Sequence, residues 1–432
     1  MHALRRTALF VGLCISPLFA DSAQPAQAVT GVPSVEIAYQ EFRLSNGLRV
    51  IVHEDRKAPI VSVNLWYHVG SKNEKPGRTG FAHLFEHLMF QGSENYRDEF
   101  FKPFESVGAT EQNGTTNTDR TNYFQNVPTT ALDMALFMES DRMGYLLGAI
   151  DQKSLDEQRG VVQNEKRQRD NAPYGKDFYA LFEAIFPEGH PYRWSTIGSM
   201  EDLEAASLDD VKTWFKTWYG PDNTVLVLAG DIDLATAKVK VEKYFGGIAP
   251  GGPLAKRKLW PVQLTAPTRG INYDRVAQTR ITRVWGAPAA TMPAADDLAL
   301  FARALGGGKT SRLYQRLVQK EQLATSFSFG LEIAGMFFVN VDLAPGADVA
   351  KVEAIIDEEI NKLSAGGLTQ TELSRAATSI EAGFIRGIER TGGFGGKSDI
   401  LAECAVFFGN PDCYKAELQR LTTATPARVL AT

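Results

Sequence analysis

The amino-acid sequence predicts an α+β protein of two similar halves, each a mostly antiparallel β-sheet packed with several α-helices. Three observations lead there. At 432 residues the chain exceeds what one ordinary hydrophobic core organises. Its first part runs from strand patterns into helical ones and closes on Ala249-Pro250-Gly251-Gly252-Pro253, followed by Lys256-Arg257-Lys258, which reads as a linker. Beyond it the order of patterns starts again. The halves therefore fall at 38–248 and 262–432, with 249–261 between them.

Phe42–Val52 reads as a hairpin turning at Asn46-Gly47, a pair suited to the left-handed backbone of a two-residue turn. Ile60–Val69 alternates as a longer strand, and Gly70–Gly80 is a polar loop. Helices are expected over Thr79–Phe90 and Tyr96–Glu105, then two β-runs rich in Thr and Asn within Ala109–Val127. Helical spacing returns over Thr129–Leu147, Asp151–Arg169, Asp177–Ile185 and Leu208–Trp218. The apolar run Thr224–Gly230 has the composition of a strand buried on both faces, and Leu234–Phe245 is helical. In the second half, strands are expected at Thr279–Trp285, Thr325–Leu331 and Met336–Leu343. Helices fall at Ala294–Leu305, Thr310–Val318, Val349–Leu363 and Thr369–Arg390, with a helical tail. Gly306-Gly307-Gly308 breaks the first two of these helices apart. Gly308-Lys309-Thr310 looks like the end of a phosphate-binding loop, but the upstream glycine of that loop is missing.

With 44% hydrophobic and 22% charged residues and a formal net charge of −5, the composition is that of a soluble globular protein. It gives no reason to expect nucleic acid or an anionic membrane as partner. Arg5-Arg6, the apolar run Ala8–Ala20 and Ala26-Gln27-Ala28 read together as a signal peptide over residues 1–28. The run is too short to span a bilayer, so the mature chain is expected to be exported, to the periplasm or beyond the cell, without a membrane span. Cys404 and Cys413 then remain, a pair able to form a disulfide in an oxidising compartment.

The chemistry concentrates in Gly80–Phe90, which holds two of the six histidines. On a helix, His83, Glu86 and His87 share one face, while Leu84, Phe85, Leu88 and Phe90 pack around the others. Two imidazoles one turn apart can close on one Zn²⁺ at about 2.0–2.1 Å per bond, with Glu86 beside it to take a proton from water. This H-x-x-E-H order is the inverted-zincin motif. Such a site normally takes three protein ligands. The helix beginning at Leu155 offers Glu157 and Glu165, and spacing alone does not choose between them.

The stretches Gly80–Phe90, Gly108–Tyr123, Asp156–Arg169, His190–Ser199 and Trp218–Asp231 together resemble the pitrilysin/insulinase/mitochondrial-processing-peptidase family of zinc metallopeptidases. That resemblance implies a third ligand behind a Val-Val pair, a pattern met by Glu165 after Val161-Val162. It further implies Glu86 as general base, one Zn²⁺ per chain, and Asn113, Gly114, Thr115 and Thr116 on an edge strand that pairs with the substrate backbone. Many relatives have Asn-Ala where this chain has Asn113-Gly114, a change expected to loosen the strand. Relatives often carry a glutamate two turns before the third ligand, where this chain has Gln158 beside Glu157. Active relatives also carry an Arg and a Tyr in the second half that hold the substrate; here Val318 and Thr325 stand in their places, with Arg312, Tyr314 and Arg316 nearby. The expectation is a peptidase acting on unfolded or short peptides in a chamber between paired subunits. A homologous subunit would supply the Arg and Tyr in a heterodimer, the alternative being a homodimer. Two other readings are a non-catalytic scaffold subunit of the same fold and a processing peptidase for one precursor.

Overall fold

The computed structural model of the protein describes residues 35–432 apart from 253, 255–261, 263 and 333–334. The expected signal peptide and most of the expected linker lie outside the described residues.

The first sheet has six strands in the order β1 (Gln40–Arg43), β2 (Arg49–Glu54), β6 (Thr224–Gly230), β3 (Ile60–Tyr67), β5 (Thr121–Pro128) and β4 (Thr110–Thr116). Only β2 and β6 run parallel; the other pairs are antiparallel. The β1–β2 turn places Gly47 at φ +95°. Asn46 Oδ1 accepts the Leu48 N–H, while its amide donates to the carbonyls of Phe245 and Ile248, so this turn also fastens the end of the first half. Helices of this half are α1 (Phe81–Leu88), α2 (Phe101–Ser106), α3 (Leu132–Tyr145), α4 (Gln152–Asn171), α5 (Asp177–Ile185), α6 (Met200–Glu204), α7 (Leu208–Trp218) and α8 (Leu234–Phe245). α2 starts later than its sequence suggests. The Asn95 backbone and side chain and the Ser93 hydroxyl all donate to Asp141 of α3, which holds the preceding residues as a turn.

The second half contributes β7 (Arg280–Gly286), β9 (Met336–Leu343) and β8 (Ala324–Glu332), antiparallel and in that order. Its helices are α9 (Pro293–Gly306), α10 (Val349–Gly366), α11 (Gln370–Ile388), α12 (Lys397–Glu403), α13 (Cys413–Thr422) and α14 (Pro426–Ala431). The helix expected at Thr310–Val318 is displaced to Tyr314–Lys320 and wound in wide turns, because the Ser311 N–H and hydroxyl both donate to Gly308 O and close a turn first.

Period-2 alternation assigns the faces of the first sheet. Val61, Val63, Leu65, Tyr67, Leu226 and Leu228 point into the core shared with α1. Ile51, Trp66, Val225 and Val227 point the opposite way, onto Leu401 and Ala402 of α12, Ala405 and Tyr414. Both faces are buried, which is why the strand is apolar from residue 225 to 230. The cover on the second face comes from the far end of the chain, where Cys404 and Cys413 are joined by a disulfide with Cα atoms 5.3 Å apart. No described helix is long and apolar enough to cross a membrane.

Candidate metal centre

α1 is short, and its start is anchored from outside. Gly80 takes φ +86°, and a Cβ there would lie 2.7 Å from Ile197 O, so the position needs glycine. No side chain at Gly80 can cap the helix. Glu74 does so instead: its Oε2 accepts the Gly80 N–H at 3.1 Å and its Oε1 accepts the Ala82 N–H at 2.9 Å. The carboxylate thus answers N–H groups that a helix start leaves unpaired. Burial pushes its pKa well up, and these N–H bonds pull the other way. Leu84, Phe85 and Leu88 enter the core, with Phe85 packed on Phe215 and Tyr219.

α4 opens on a reciprocal cap between Asp151 and Ser154. Its buried stripe is Leu155, Gln158, Val162 and Lys166, and Glu165 stands one turn past Val162. Val161 is 47% exposed, because only one member of the Val161-Val162 pair can face α1. Glu157 points outward toward Lys153. The inward residue two turns before Glu165 is therefore the neutral Gln158.

The two helices bring His83, His87 and Glu165 together, with one candidate ligand atom from each lying within 4.8 Å of the others. Both histidine Nε2 atoms are 3.6 Å from Glu165 Oε2. Burial, with His87 adjacent, lowers the His83 pKa to about 4, which favours the neutral ring that can donate a lone pair. The approach of His87, against partial burial and helped by His83 and Arg169, lowers the Glu165 pKa to about 2. Arg169 donates to the other Glu165 oxygen at 2.8 Å. Glu86 is buried, which raises its pKa, and its Oε2 accepts the Thr116 hydroxyl at 2.5 Å.

That contact places β4 beside the cluster. β4 ends the sheet, so its outer edge faces no strand among the described residues. Asn113, Gly114, Thr115 and Thr116 pair inward with Phe124, Tyr123, Asn122 and Thr121. Gly114 and Thr116 face α1, while Asn113 and Thr115 face the α12 side. A Cβ on Gly114 would lie 2.6 Å from Phe90 Cζ and 2.9 Å from Tyr123 Cδ1. The Phe90 ring thus fills the space a side chain at Gly114 would take. Arg120 donates to Thr115 O at 2.9 Å and lies 4.9 Å over the Trp66 ring, bracing the β4–β5 connection. Glu74, Arg120 and the Thr116–Glu86 bond are placements around the cluster that the sequence did not signal, because each joins segments distant in the chain or separated by a turn.

Geometry and topology together give a candidate H-x-x-E-H metal centre on a two-half α+β scaffold. Two family profiles match the chain: insulinase, peptidase family M16, over residues 49–187, and peptidase M16 inactive domain over 205–380. The zinc protease PqqE of Helicobacter pylori is 31% identical over 364 residues, which cover 81% of this chain and 80% of that protein. An uncharacterized zinc protease of Streptomyces coelicolor is 25% identical over 90% of this chain and 85% of its own. Among solved structures, a protease from Helicobacter pylori has a TM-score of 0.83 at 26% identity, covering 91% of this chain and 95% of that one. The periplasmic protease PqqL of Escherichia coli shares the fold, with a TM-score of 0.73 at 19% identity, over 93% of this chain and 46% of that one. This chain belongs to peptidase family M16, in its short two-domain form.

Proposed function

We propose that the protein is a zinc metalloendopeptidase acting on unfolded or short peptides, with His83, His87 and Glu165 holding one Zn²⁺ per chain and Glu86 as general base. The observation that carries this reading is the convergence of the H-x-x-E-H helix with Glu165. A tetrahedral ion with bonds of roughly 2.1 Å separates its ligand atoms by about 3.4 Å, and both Nε2 to Oε2 distances are 3.6 Å. When bound, zinc supplies Lewis-acid polarisation of the scissile carbonyl and lowers the pKa of water from 15.7 to about 7. Glu86 takes the proton of the attacking water and returns it to the leaving amine, with Thr116 fixing its Oε2 and Oε1 carrying the transfer. Such acid–base assistance contributes about 10²–10⁴-fold. The free edge of β4 at Asn113–Thr116 receives an extended peptide through backbone hydrogen bonds.

The substrate-holding Arg and Tyr are assigned to a homologous subunit in a heterodimer. Val318 packs against the second core, and the Thr325 side chain lies outside the described residues. Arg312 is engaged by Glu372 at 2.7 and 2.9 Å, and Arg316 by Glu321, Glu358 and Glu359. These engagements favour the heterodimer over a homodimer that would use the same arginines. The N-terminal signal pattern supports export to the periplasm.

The test is metal analysis of the purified mature chain and of His87→Ala, with peptide hydrolysis measured alone and after adding candidate homologous chains. One zinc per wild-type chain, its loss in His87→Ala and activity restored by the partner are the expected results. Equal zinc in both proteins would remove the ligand assignment, and full activity of the chain alone would remove the heterodimer.

A further inference from the structure

The loop Thr391-Gly392-Gly393-Phe394-Gly395-Gly396 joins α11 to α12 and is pressed onto the first sheet on the side away from His83 and His87. A Cβ on Gly392 would lie 2.1 Å from Asn126 Oδ1 and 2.3 Å from Ser62 Oγ, and one on Gly393 would lie 2.6 Å from Glu111 Oε2. The loop therefore runs outward across β3 and β5 to β4, at distances only glycine permits. Gly393 and Gly395 take φ +74° and +66°. Gly396 N donates to Gly393 O, Lys397 N to Arg390 O and Ser398 N to Thr391 O. Arg390 donates to Phe394 O. At the loop's far side the Ser62 and Ser398 hydroxyls meet at 3.1 Å, and Lys397 pairs with Asp55 at 2.7 Å. A second-half segment is thus locked against the strands that end in the candidate substrate edge.

What this lock holds in place is Phe394. Its ring meets Phe124 edge-on with centroids 4.9 Å apart, yet 45% of the residue stays exposed. Phe124 is the cross-strand partner of Asn113, and directly opposed residues in a ladder share a face. A peptide added to β4 therefore points the side chain opposite Asn113 toward the same face as Phe124 and Phe394, and its neighbours in sequence toward α1. A large apolar ring left half in water on that face has the chemistry to receive an apolar or aromatic group, which edge-to-face packing rewards.

We propose that Phe394 forms one wall of a substrate side-chain subsite, selecting an aromatic or large aliphatic residue at the position paired with Asn113. This rests on the reading of β4 as the substrate strand. The second half then does more than cover the first sheet: it supplies a specificity residue in cis.

The test scans a fluorogenic peptide one position at a time with Phe or Ala, using zinc-loaded wild type, Phe394→Ala and Phe394→Leu in whichever assembly is active. The expected result is one position where wild type favours Phe over Ala by about tenfold in kcat/KM. Phe394→Ala should reduce that ratio to near one, and Phe394→Leu to an intermediate value, with zinc content equal in all three. The same scan is read as affinity on a Glu86→Gln background, where binding is separate from turnover. Positional selection in binding without any cleavage by wild type would remove the peptidase reading and leave the subsite standing. Cleavage whose preference is untouched by Phe394→Ala or Phe394→Leu, or reduced equally at every position, would remove the subsite and leave the peptidase reading standing.

Discussion

Each half sends out a helix soon after a long strand: α1 after β3, and α9 after β7. Both helices carry carboxylates into buried surroundings, with Glu86 7%, Asp296 9% and Asp297 7% exposed. On α9 the carboxylates are answered by arginines. Arg420 of α13 pairs with Asp296, and Arg428 of α14 grips Asp297 with two nitrogens at 2.8 and 2.9 Å. On α1, Glu86 is met by a hydroxyl, and the two histidines face a third residue with donor capacity to spare. The same architectural position is thus a tie in one half and a candidate site in the other. The difference lies in whether the polar groups satisfy one another or converge on a common point. Charge pairs that close on themselves hold helices in place; donors that converge leave room for an ion.

The largest effect should come from Glu86, the proposed base. Glu86→Gln fills the same volume but cannot accept a proton at neutral pH, so kcat should fall by about 10²–10⁴-fold while zinc stays bound. Steady-state kinetics with metal analysis on one preparation checks both parts. Retained turnover would mean that Glu86 is not the base.

Next in size is the brace that the second half lays over the first sheet. Replacing Cys404 and Cys413 together by Ser should lower stability by about 2–3 kcal/mol, read from denaturant midpoints, with zinc content unchanged. On α9, Asp297→Asn weakens a charged, two-nitrogen grip and should lower stability by about 2 kcal/mol. Because α9 is a tie and not a site, neither kcat nor KM should follow. A change in kcat larger than the loss of folded protein would break the division between the halves.

Much of the first half was legible because its signals are local. Asp177–Ile185, Leu208–Trp218 and Leu234–Phe245 stand where periodicity puts them and Thr224–Gly230 where composition does, the second and third helices helped by caps at Ser207 and Asp233. His83, Glu86 and His87 were legible because one helix fixes their spacing. Glu165 was not separable from Glu157 by spacing, since both sit on one helix and only packing against α1 turns one inward. Glu74 and Phe394 left no local trace, because the partners of each are reached through a loop, and in the second case from the opposite end of the chain.

The smallest effect tests how closely the site half is fitted. Gly114 faces α1, and Phe90 occupies the space above it, stacked on Phe101 at 4.7 Å and edge-on to Tyr123 at 5.5 Å. Gly114→Ala must push that ring into neighbours already in contact, and overpacking of this kind lowers stability by about 1 kcal/mol or somewhat more. If the ring is the obstacle, shortening it should remove the penalty. Phe90→Leu alone loses packing, but in the double variant the new methyl group occupies part of the space vacated, so the two changes should be less destabilising together than their sum. A double-mutant cycle on denaturant midpoints reads that coupling, expected at about 0.5 kcal/mol or more. Strict additivity would mean that Phe90 does not fit the edge strand to α1, and that Gly114 is there to loosen it after all.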